Sequence, residues 1–264
     1  MKQQIIHALP GDHPWQNQIY LYDVTDSTNK QAKLLAADGT PHGTVLIADR
    51  QTAGKGRLGR SFQSPAGMGI YMSVILRPQC RAEQLMHLTC ATAVAMVDAV
   101  EASTGLRPGI KWTNDLVCGS KKLGGILTEL SLDHQGNVSY AVIGIGINCC
   151  QKEGNFPEEI KDIATSLQIC THTAVDRAAV AAAMIVQLEK MSQNLSDPQY
   201  YLPRYRENCI TLGQYVSVLR ADEVRHGRAL DVDASGALLV EFDDGHTETV
   251  NSGEVSVRGM YGYV

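Results

Sequence analysis

The chain predicts an α+β fold in two unequal parts, a mixed sheet with helices over residues 1–208 and a small β-barrel over 209–264. Three features carry that reading. Strand-like runs are interleaved with long helical patterns up to about Asn208. Between 116 and 147 short strands are joined by glycine turns, which makes the second half of the sheet antiparallel. From Gly213 onward β-branched residues alternate with turn signals. No period of 20 to 50 residues recurs and no low-complexity tract occurs, which removes solenoids and propellers.

Taken in order, residues 19–24 read as a strand. Asp26-Ser27 then offers an N-cap for a helix to about Ala37, with Leu34 and Leu35 facing inward and Asp38-Gly39 ending it. Strands follow at 44–48 and 70–76. Residues 83–103 read as a long helix whose Leu85, Leu88, Thr92, Ala95, Met96 and Ala99 share a stripe, stopped by Gly105 and Pro108. Short strands are expected at 116–118, 125–132 and 139–147, with turns at Gly119-Ser120 and Gly136-Asn137. A helix over 176–192 has an Ala-rich face, and Asp197-Pro198 with Pro203 closes that region. The barrel's turns are expected at 225–227, Ser235-Gly236, 243–245 and Ser252-Gly253. At roughly 55 residues such a barrel has a marginal core and should lean on the larger part.

With 264 residues, 44% hydrophobic and 19% charged, the composition is globular rather than collagen-like, disordered or coiled-coil. The net charge of −5 gives phosphate backbones no attractive field, so DNA is not an expected partner. The start lacks an apolar targeting segment, and the most apolar stretches, 86–97 and 178–186, are shorter than the roughly 20 residues a membrane span needs. Seven cysteines, an odd number without a Cys-x-x-Cys, read as free thiols in a reducing cytoplasm.

The segment Gly54-Lys55-Gly56-Arg57-Leu58-Gly59-Arg60 contains Gly-x-Gly-x-x-Gly after a strand. A dinucleotide fold would open a helix at this loop and place an acid about 20 residues later, and neither occurs. Instead Arg50, Lys55, Arg57 and Arg60 come without a single acid between positions 50 and 60, an anomaly in an acidic chain. Glycine lets backbone N–H groups approach an anion, and guanidinium forks grip phosphate or carboxylate oxygens, although a solvated loop of scattered charges is the plain alternative.

Lys111-Trp112-Thr113-Asn114-Asp115 supplies either ribose or Mg2+ contacts or an ordinary Asn-Asp turn beside a core tryptophan. In Lys121-Lys122-Leu123-Gly124-Gly125 an ammonium precedes bare strand positions, where it either reaches the carboxylate of a flat-lying ligand or decorates a turn. Gly144-Ile145-Gly146-Ile147-Asn148 leaves one strand face bare for a ligand or, more simply, a helix. Asp26-Ser27-Thr28-Asn29 reads by itself as a cap. Neither a Gly-x-Ser-x-Gly elbow, a His-Glu-x-x-His pair nor a Walker loop is present, so serine hydrolase and zinc chemistry are unsupported. Cys149-Cys150 reads as two small buried residues.

Together and in this order, Ser27-Thr28-Asn29, Gln51 with the 54–60 loop, 111–115, 122–127 and 144–148 resemble the biotin protein ligase family across most of the chain. The spacing of Gly227, Asp233, Gly236 and Gly253-Glu254 is similar to that family's small barrel. The resemblance implies a class II synthetase-like catalytic domain, an SH3-like C-terminal barrel, and a short form without an N-terminal DNA-binding domain. It implies activation of biotin by MgATP to biotinyl-5'-AMP and transfer to one lysine of a biotin carboxyl carrier protein domain. Biotin and MgATP are then substrates, with no tightly bound prosthetic group and no dedicated metal site, Mg2+ arriving with ATP near Asp115.

By the same resemblance Lys122, Arg57, Lys111 and Asp115 are catalytic. Ser27, Thr28, Asn29, Gln51, Lys55, Gly56, Arg57, Lys122, Gly124 and Gly125 meet biotin, and Arg60, Lys111, Asn114, Asp115 and Asn148 meet the nucleotide. Attack of a carboxylate on a phosphate brings two anions together, which is what the cations are suited to neutralise. The basic loop is expected to order over the adenylate, and Asp115 to orient or deprotonate the acceptor amine. Lys55 and Leu58 stand where arginines are usual in the family and Thr113 where proline is; Arg258 is expected to face the nucleotide. A homodimer is plausible for such a protein. The rival readings are a lipoate or octanoate protein ligase and a non-enzymatic binding module.

Overall fold

The computed structural model describes residues 1–220, 223–252 and the backbone of the strand 256–259. Seven strands form the main sheet: β1 (Ile19–Thr25), β2 (Thr44–Gln51), β3 (Gly69–Leu76), β4 (Gly109–Lys111), β5 (Asp115–Cys118), β6 (Lys121–Leu132) and β7 (Val138–Asn148). Their spatial order is β1-β2-β3-β7-β6-β5-β4. Only β1 and β2 are parallel, because α2 (Thr28–Ala37) provides the crossover that a parallel pair requires. Every later pair is antiparallel.

Both faces of the sheet are covered, which is why β3 is buried at every position and reads as a continuous apolar run. One face carries α2, whose Ala32 and Ala36 meet Leu46, Ile75 and Val142. The buried positions Thr28, Ala32 and Ala36 recur every fourth residue, and Leu34 lies two residues out of phase with them. It is therefore 58% exposed rather than inward, while Leu35 does pack on the core.

The other face carries α3 (Leu88–Thr104) and α5 (Arg177–Gln193), flanked by α1 (Lys2–Ala8) and α6 (Pro198–Asn208). Helix α3 starts later than expected, after a 3-10 turn over Ala82–Leu85, and ends where Gly105 turns left-handed at φ 72°. Residues 82–104 are long and apolar enough to cross a membrane by composition, more than the shorter stretches read from the sequence. Their most apolar 18-residue stretch is 72% buried inside the protein, as a central core helix is.

Helix α6 contradicts the expectation that Asp197, Pro198 and Pro203 close the region. Asp197 caps it by accepting from the Gln199 N–H, and Pro198 sits at the first turn, where its fixed φ suits a helix. Pro203 lies inside the helix, which is anchored by buried Tyr201, Leu202 and Tyr205. The remaining short helix, α4 (Leu167–Thr171), is capped by Ser166.

The C-terminal strands β8 (Tyr215–Arg220), β9 (Glu223–Val232), β10 (Leu238–Phe242), β11 (Thr247–Val250) and β12 (Ser256–Gly259) form one antiparallel sheet in the order β11-β10-β9-β8-β12. Among the described residues β11 and β12 do not pair, so the barrel stays open along that seam. The expected turn at 225–227 is instead the middle of β9. A Cβ on Gly227 would lie 2.4 Å from the Glu241 carbonyl oxygen, so this glycine serves close approach of β10. Turns do fall at Gly236 and Gly245, both at φ 84°. Gly253, Glu254 and the Arg258 side chain lie outside the described residues.

The small sheet leans on the large one as its size requires. Its buried Val216, Val218, Leu238 and Val240 belong to the same hydrophobic core as α3 and the main sheet. Trp112 donates its indole N–H to the Gly236 carbonyl at 3.0 Å and its backbone N–H to Thr211 Oγ1 at 2.9 Å.

Candidate active site

Strand β2 ends in Gln51 and releases the basic loop. That loop folds back on itself: Gly56 N–H bonds the Arg60 carbonyl at 2.7 Å and Phe62 N–H the Gly54 carbonyl at 2.9 Å. At its tip Arg57–Gly59 forms a single 3-10 turn, with Leu58 left-handed at φ 54° and its side chain in solvent. Gly54 is required by crowding, since a Cβ there would lie 2.5 Å from the Phe62 carbonyl oxygen.

The loop covers a cleft of about 420 Å³ over β6 and β7. Lining it are Ser27, Thr28, Asn29, Gln51, Lys55, Gly56, Arg57, Arg60, Lys111, Asn114, Asp115, Lys122 and Gly125, together with Phe62, Trp112, Ile126, Ile145 and Ile163. The sequence-predicted residues thus converge from four separate segments, 27–29, 51–60, 111–115 and 122–125. Gly124 is not among the lining residues; it faces the Gly146 carbonyl oxygen, to which its Cβ would approach within 2.5 Å. Asn148 is not among them either, because its amide donates to the Thr165 carbonyl at 3.0 Å and its oxygen accepts from Gln151 at 3.0 Å.

The polar wall is held by bonds the sequence does not announce. Ser27 occupies the N-cap position of α2 but makes no side-chain capping bond. Gln51 Oε1 accepts instead from the Thr28 N–H at 2.8 Å, while Asp26 accepts from the Ser27 N–H at 2.7 Å and from Lys30 at 2.7 Å. Bonds from Lys30, Gln31 and Ser27 hold the Asp26 carboxyl well below the usual carboxylate range. Ser73 of β3 reaches Thr28 Oγ1 at 2.8 Å and Asn29 Oδ1 at 2.6 Å, and Asn29 donates to Glu129 at 3.0 Å. Burial raises the Glu129 carboxyl, but bonds from Lys33 and Asn29 outweigh it and leave Glu129 below its ordinary value.

The bare face of β7 receives side chains from two sides. A Cβ at Gly144 would lie 2.0 Å from Asn29 Oδ1, and one at Gly146 would lie 2.5 Å from the Phe62 ring. Half of that face therefore takes a helix residue and half a loop residue. Gly144→Ala is expected to destabilise the fold by about 1–3 kcal/mol, because Asn29 stands where the methyl would go and moving it breaks its bonds with Ser73, Leu127 and Glu129. Urea unfolding followed by circular dichroism measures it; an unchanged midpoint would show that Asn29 moves freely.

Charge in the cleft is strongly one-sided. Among the described residues, Lys55, Arg57, Arg60, Lys111 and Lys122 line it against one carboxylate, Asp115, in a chain of net charge −5. Lys122 Nζ donates to Asp115 Oδ1 at 2.6 Å, Asn114 Nδ2 to the same oxygen at 3.2 Å, and Arg57 to Asn114 Oδ1 at 2.9 Å. The second guanidinium nitrogen of Arg57 donates to the Ser252 carbonyl, so the relay runs from the small sheet to Lys122. Burial draws the Arg57 guanidinium below its ordinary value, Asp115 opposes this, and the group stays charged. The Trp112–Thr113 peptide bond at the start of this segment is cis.

Among the described residues no three His, Cys, Asp or Glu side chains gather to hold a metal ion. Cations facing a partly apolar wall suit an elongated ligand with an apolar body and more than one anionic group. Phe62, Ser73, Glu129 and Ser252 were not legible as site residues. Ser73 alone left a signal, a single serine in a buried strand of otherwise aliphatic and aromatic residues.

Residues 21–148 match the biotin/lipoate A/B protein ligase family and residues 211–258 the biotin protein ligase C terminal domain. A biotin--[acetyl-CoA-carboxylase] ligase of Mycobacterium tuberculosis is 33% identical over 97% of this chain and 93% of its own length. The bifunctional ligase/repressor BirA of Bacillus spizizenii is 38% identical over 92% of this chain and 75% of its own. Among solved structures, biotin protein ligase from Aquifex aeolicus in complex with biotin and ATP superposes with a TM-score of 0.77 at 30% identity, covering 92% of this chain and 99% of that one. From the paired domains and the near full-length similarity it follows that the chain belongs to the biotin/lipoate A/B protein ligase family, on its biotin protein ligase branch.

Proposed function

We propose that the cleft activates biotin with MgATP to biotinyl-5'-AMP and then passes the biotinyl group to a lysine of a biotin carboxyl carrier protein domain. The observation that carries this is the gathering of five cations from three segments around one partly apolar cleft beneath the basic loop. In the first half-reaction a carboxylate oxygen attacks the α-phosphorus and pyrophosphate leaves. Both reactants are anions, so the barrier is largely electrostatic, and preplaced cations lower it without reorganising during the reaction.

Lys122 sits where it can meet both the carboxylate and the reacting phosphate, held by Asp115 at 2.6 Å. Arg57, Lys55 and Gly56 present the loop to biotin, whose ring lies against the wall made by Ser27, Thr28, Asn29 and Gln51 and over Gly125. Arg60, Lys111 and Asn114 face the nucleotide. Mg2+ would arrive as part of the MgATP substrate, where Asp115 would be the carboxylate available to it and the ion would supply neutralisation of phosphate charge. In the second half-reaction the acceptor amine attacks the acyl carbon, AMP leaves, and the surplus proton goes to solvent or to Asp115. No covalent enzyme nucleophile is needed.

Residues 1–208 form the catalytic unit in this reading and 209–264 a small unit that braces it through Gly236, Thr211 and Ser252. Seven free cysteines fit a cytoplasmic location, the net charge of −5 fits a chain that does not seek DNA, and pairing of two copies is open to sedimentation. ATP–pyrophosphate exchange tests the function. Exchange is expected with biotin and Mg2+, and not with lipoate, octanoate or no acid. Exchange with lipoate would replace the substrate, and none with any acid would leave a binding module.

A further inference from the structure

The polar wall of the cleft has a direction, and a carboxylate that does not line the cleft fixes it. Glu129 of β6 is held at both oxygens: Oε1 accepts from Lys33 Nζ at 2.7 Å and Oε2 from Asn29 Nδ2 at 3.0 Å. An ionised carboxylate only accepts, so the Asn29 amide turns its nitrogen to Glu129 and its oxygen to Ser73. The Leu127 carbonyl, 3.3 Å from the same nitrogen, favours that orientation more weakly. Ser73 is fully buried and has one proton for two close oxygens, Asn29 Oδ1 at 2.6 Å and Thr28 Oγ1 at 2.8 Å. An amide oxygen cannot donate. The Ser73 proton therefore goes to Asn29, and the Thr28 hydroxyl supplies its own proton to Ser73. Gln51 is oriented from the opposite end, where its Nε2 donates to Ser64 Oγ at 2.9 Å and the Ser64 proton is taken by the Phe62 carbonyl at 2.9 Å.

We propose that Glu129 is a specificity-determining positioning residue: by orienting Asn29, Ser73 and Thr28 in series it leaves acceptor lone pairs of Thr28 Oγ1 and Gln51 Oε1 facing the cleft, and so selects a ligand ring that carries N–H donors. This rests on the biotin reading of the cleft, since a cyclic urea is such a ring, whereas the ring of lipoate and the chain of octanoate offer no donor. Glu129 acts through three side chains and does not touch the ligand. In Glu129→Gln one oxygen must serve two donors. The charged Lys33 ammonium takes it, because charge-assisted bonds are the stronger ones, and the new amide N–H2 group faces Asn29. Asn29 then turns over and presents its nitrogen to Ser73, which accepts there and donates to Thr28. The displaced Thr28 proton goes to Gln51 Oε1, 3.1 Å away, or into the cleft, and either way it occupies an acceptor that the ring N–H needs.

The full-length protein, Lys33→Met, Glu129→Gln and the double variant are compared with and without ligand. Without ligand, the side-chain amide resonances of Asn29 are followed by proton–nitrogen correlation NMR and assigned by their loss in Asn29→Ala. They should shift in Glu129→Gln and return towards their parental positions in the double variant, where the glutamine oxygen is free to accept from Asn29 again. With ligand, ATP–pyrophosphate exchange gives KM for biotin and kcat. Glu129→Gln should raise KM about 10–100-fold and leave kcat within about twofold, since an unmatched buried donor weakens ground and transition states alike. Lys33→Met should stay near the parent, and the double variant should recover most of the lost KM. Unmoved Asn29 resonances in Glu129→Gln overturn the proposal. So does a double variant no better than Glu129→Gln, the result expected of a carboxylate that merely stiffens the fold, or a fall in kcat with unchanged KM. Absence of exchange with biotin in the parent tells against the ligase reading, while the resonances still decide whether Glu129 orients Asn29.

Discussion

Lys122→Gln is expected to lower biotin-dependent ATP–pyrophosphate exchange by about 10²–10³-fold, the loss typical of removing one preorganised group that stabilises transition-state charge. The glutamine amide still donates to Asp115, and the side chain is 30% exposed, so the thermal midpoint should stay close to that of the parent. A parallel fall in exchange and in thermal stability would instead assign Lys122 a structural role. Arginine is not expected to rescue it. A Cβ on Gly125 would already lie 3.3 Å from both Lys122 Nζ and Asp115 Oδ1, which shows how closely the site fits a compact ammonium. Lys122→Arg with full exchange would refute that fit.

Arg57→Ala should reduce kcat/KM by about 10²-fold, because it removes a loop cation and the charged bonds to Asn114 and Ser252 that position it. Lysine is expected to recover less than a tenth of the loss, since a point charge on a flexible stem cannot serve two acceptors with a fixed fork. Limited trypsinolysis supplies the second readout: release of the loop from Ser252 should hasten cleavage after Lys55 and Arg60. If Arg57→Lys matched the parent in both rate and cleavage, the fork geometry would be irrelevant and charge alone would suffice.

How far the site is legible before folding depends on whether its signal is local. The basic loop stands out because four cations without an acid are abnormal in an acidic chain. The bare Gly144 and Gly146 face also announces that something packs there. That Asn29 fills one position and Phe62 the other depends on how α2 and the loop fold over β7. Asn148, adjacent to that face in sequence, turns its amide to Thr165 and Gln151 because β7 ends there and the 149–166 segment supplies the partners. Helix α6 and the continuous β9 escape local reading for a related reason. Proline and glycine are punctuation only where the backbone needs the conformations they favour, and at Pro203 and Gly227 the helix and the strand simply continue.

The sequence by itself determined the α+β class, the principal strands and helices, and the set of charged residues from which the cleft is built. Hydrophobic period, glycine placement and charge density act over a few residues and are readable without coordinates. Only the tertiary structure decided that Gln51 rather than Ser27 bonds the start of α2, that Ser73 joins the polar wall, and that the Ser252 carbonyl holds Arg57 from the small sheet. Each of those bonds joins groups far apart in the chain. Their partners are chosen by strand order and core packing, which bring polar atoms within hydrogen-bonding range and leave little else in a buried setting to satisfy them.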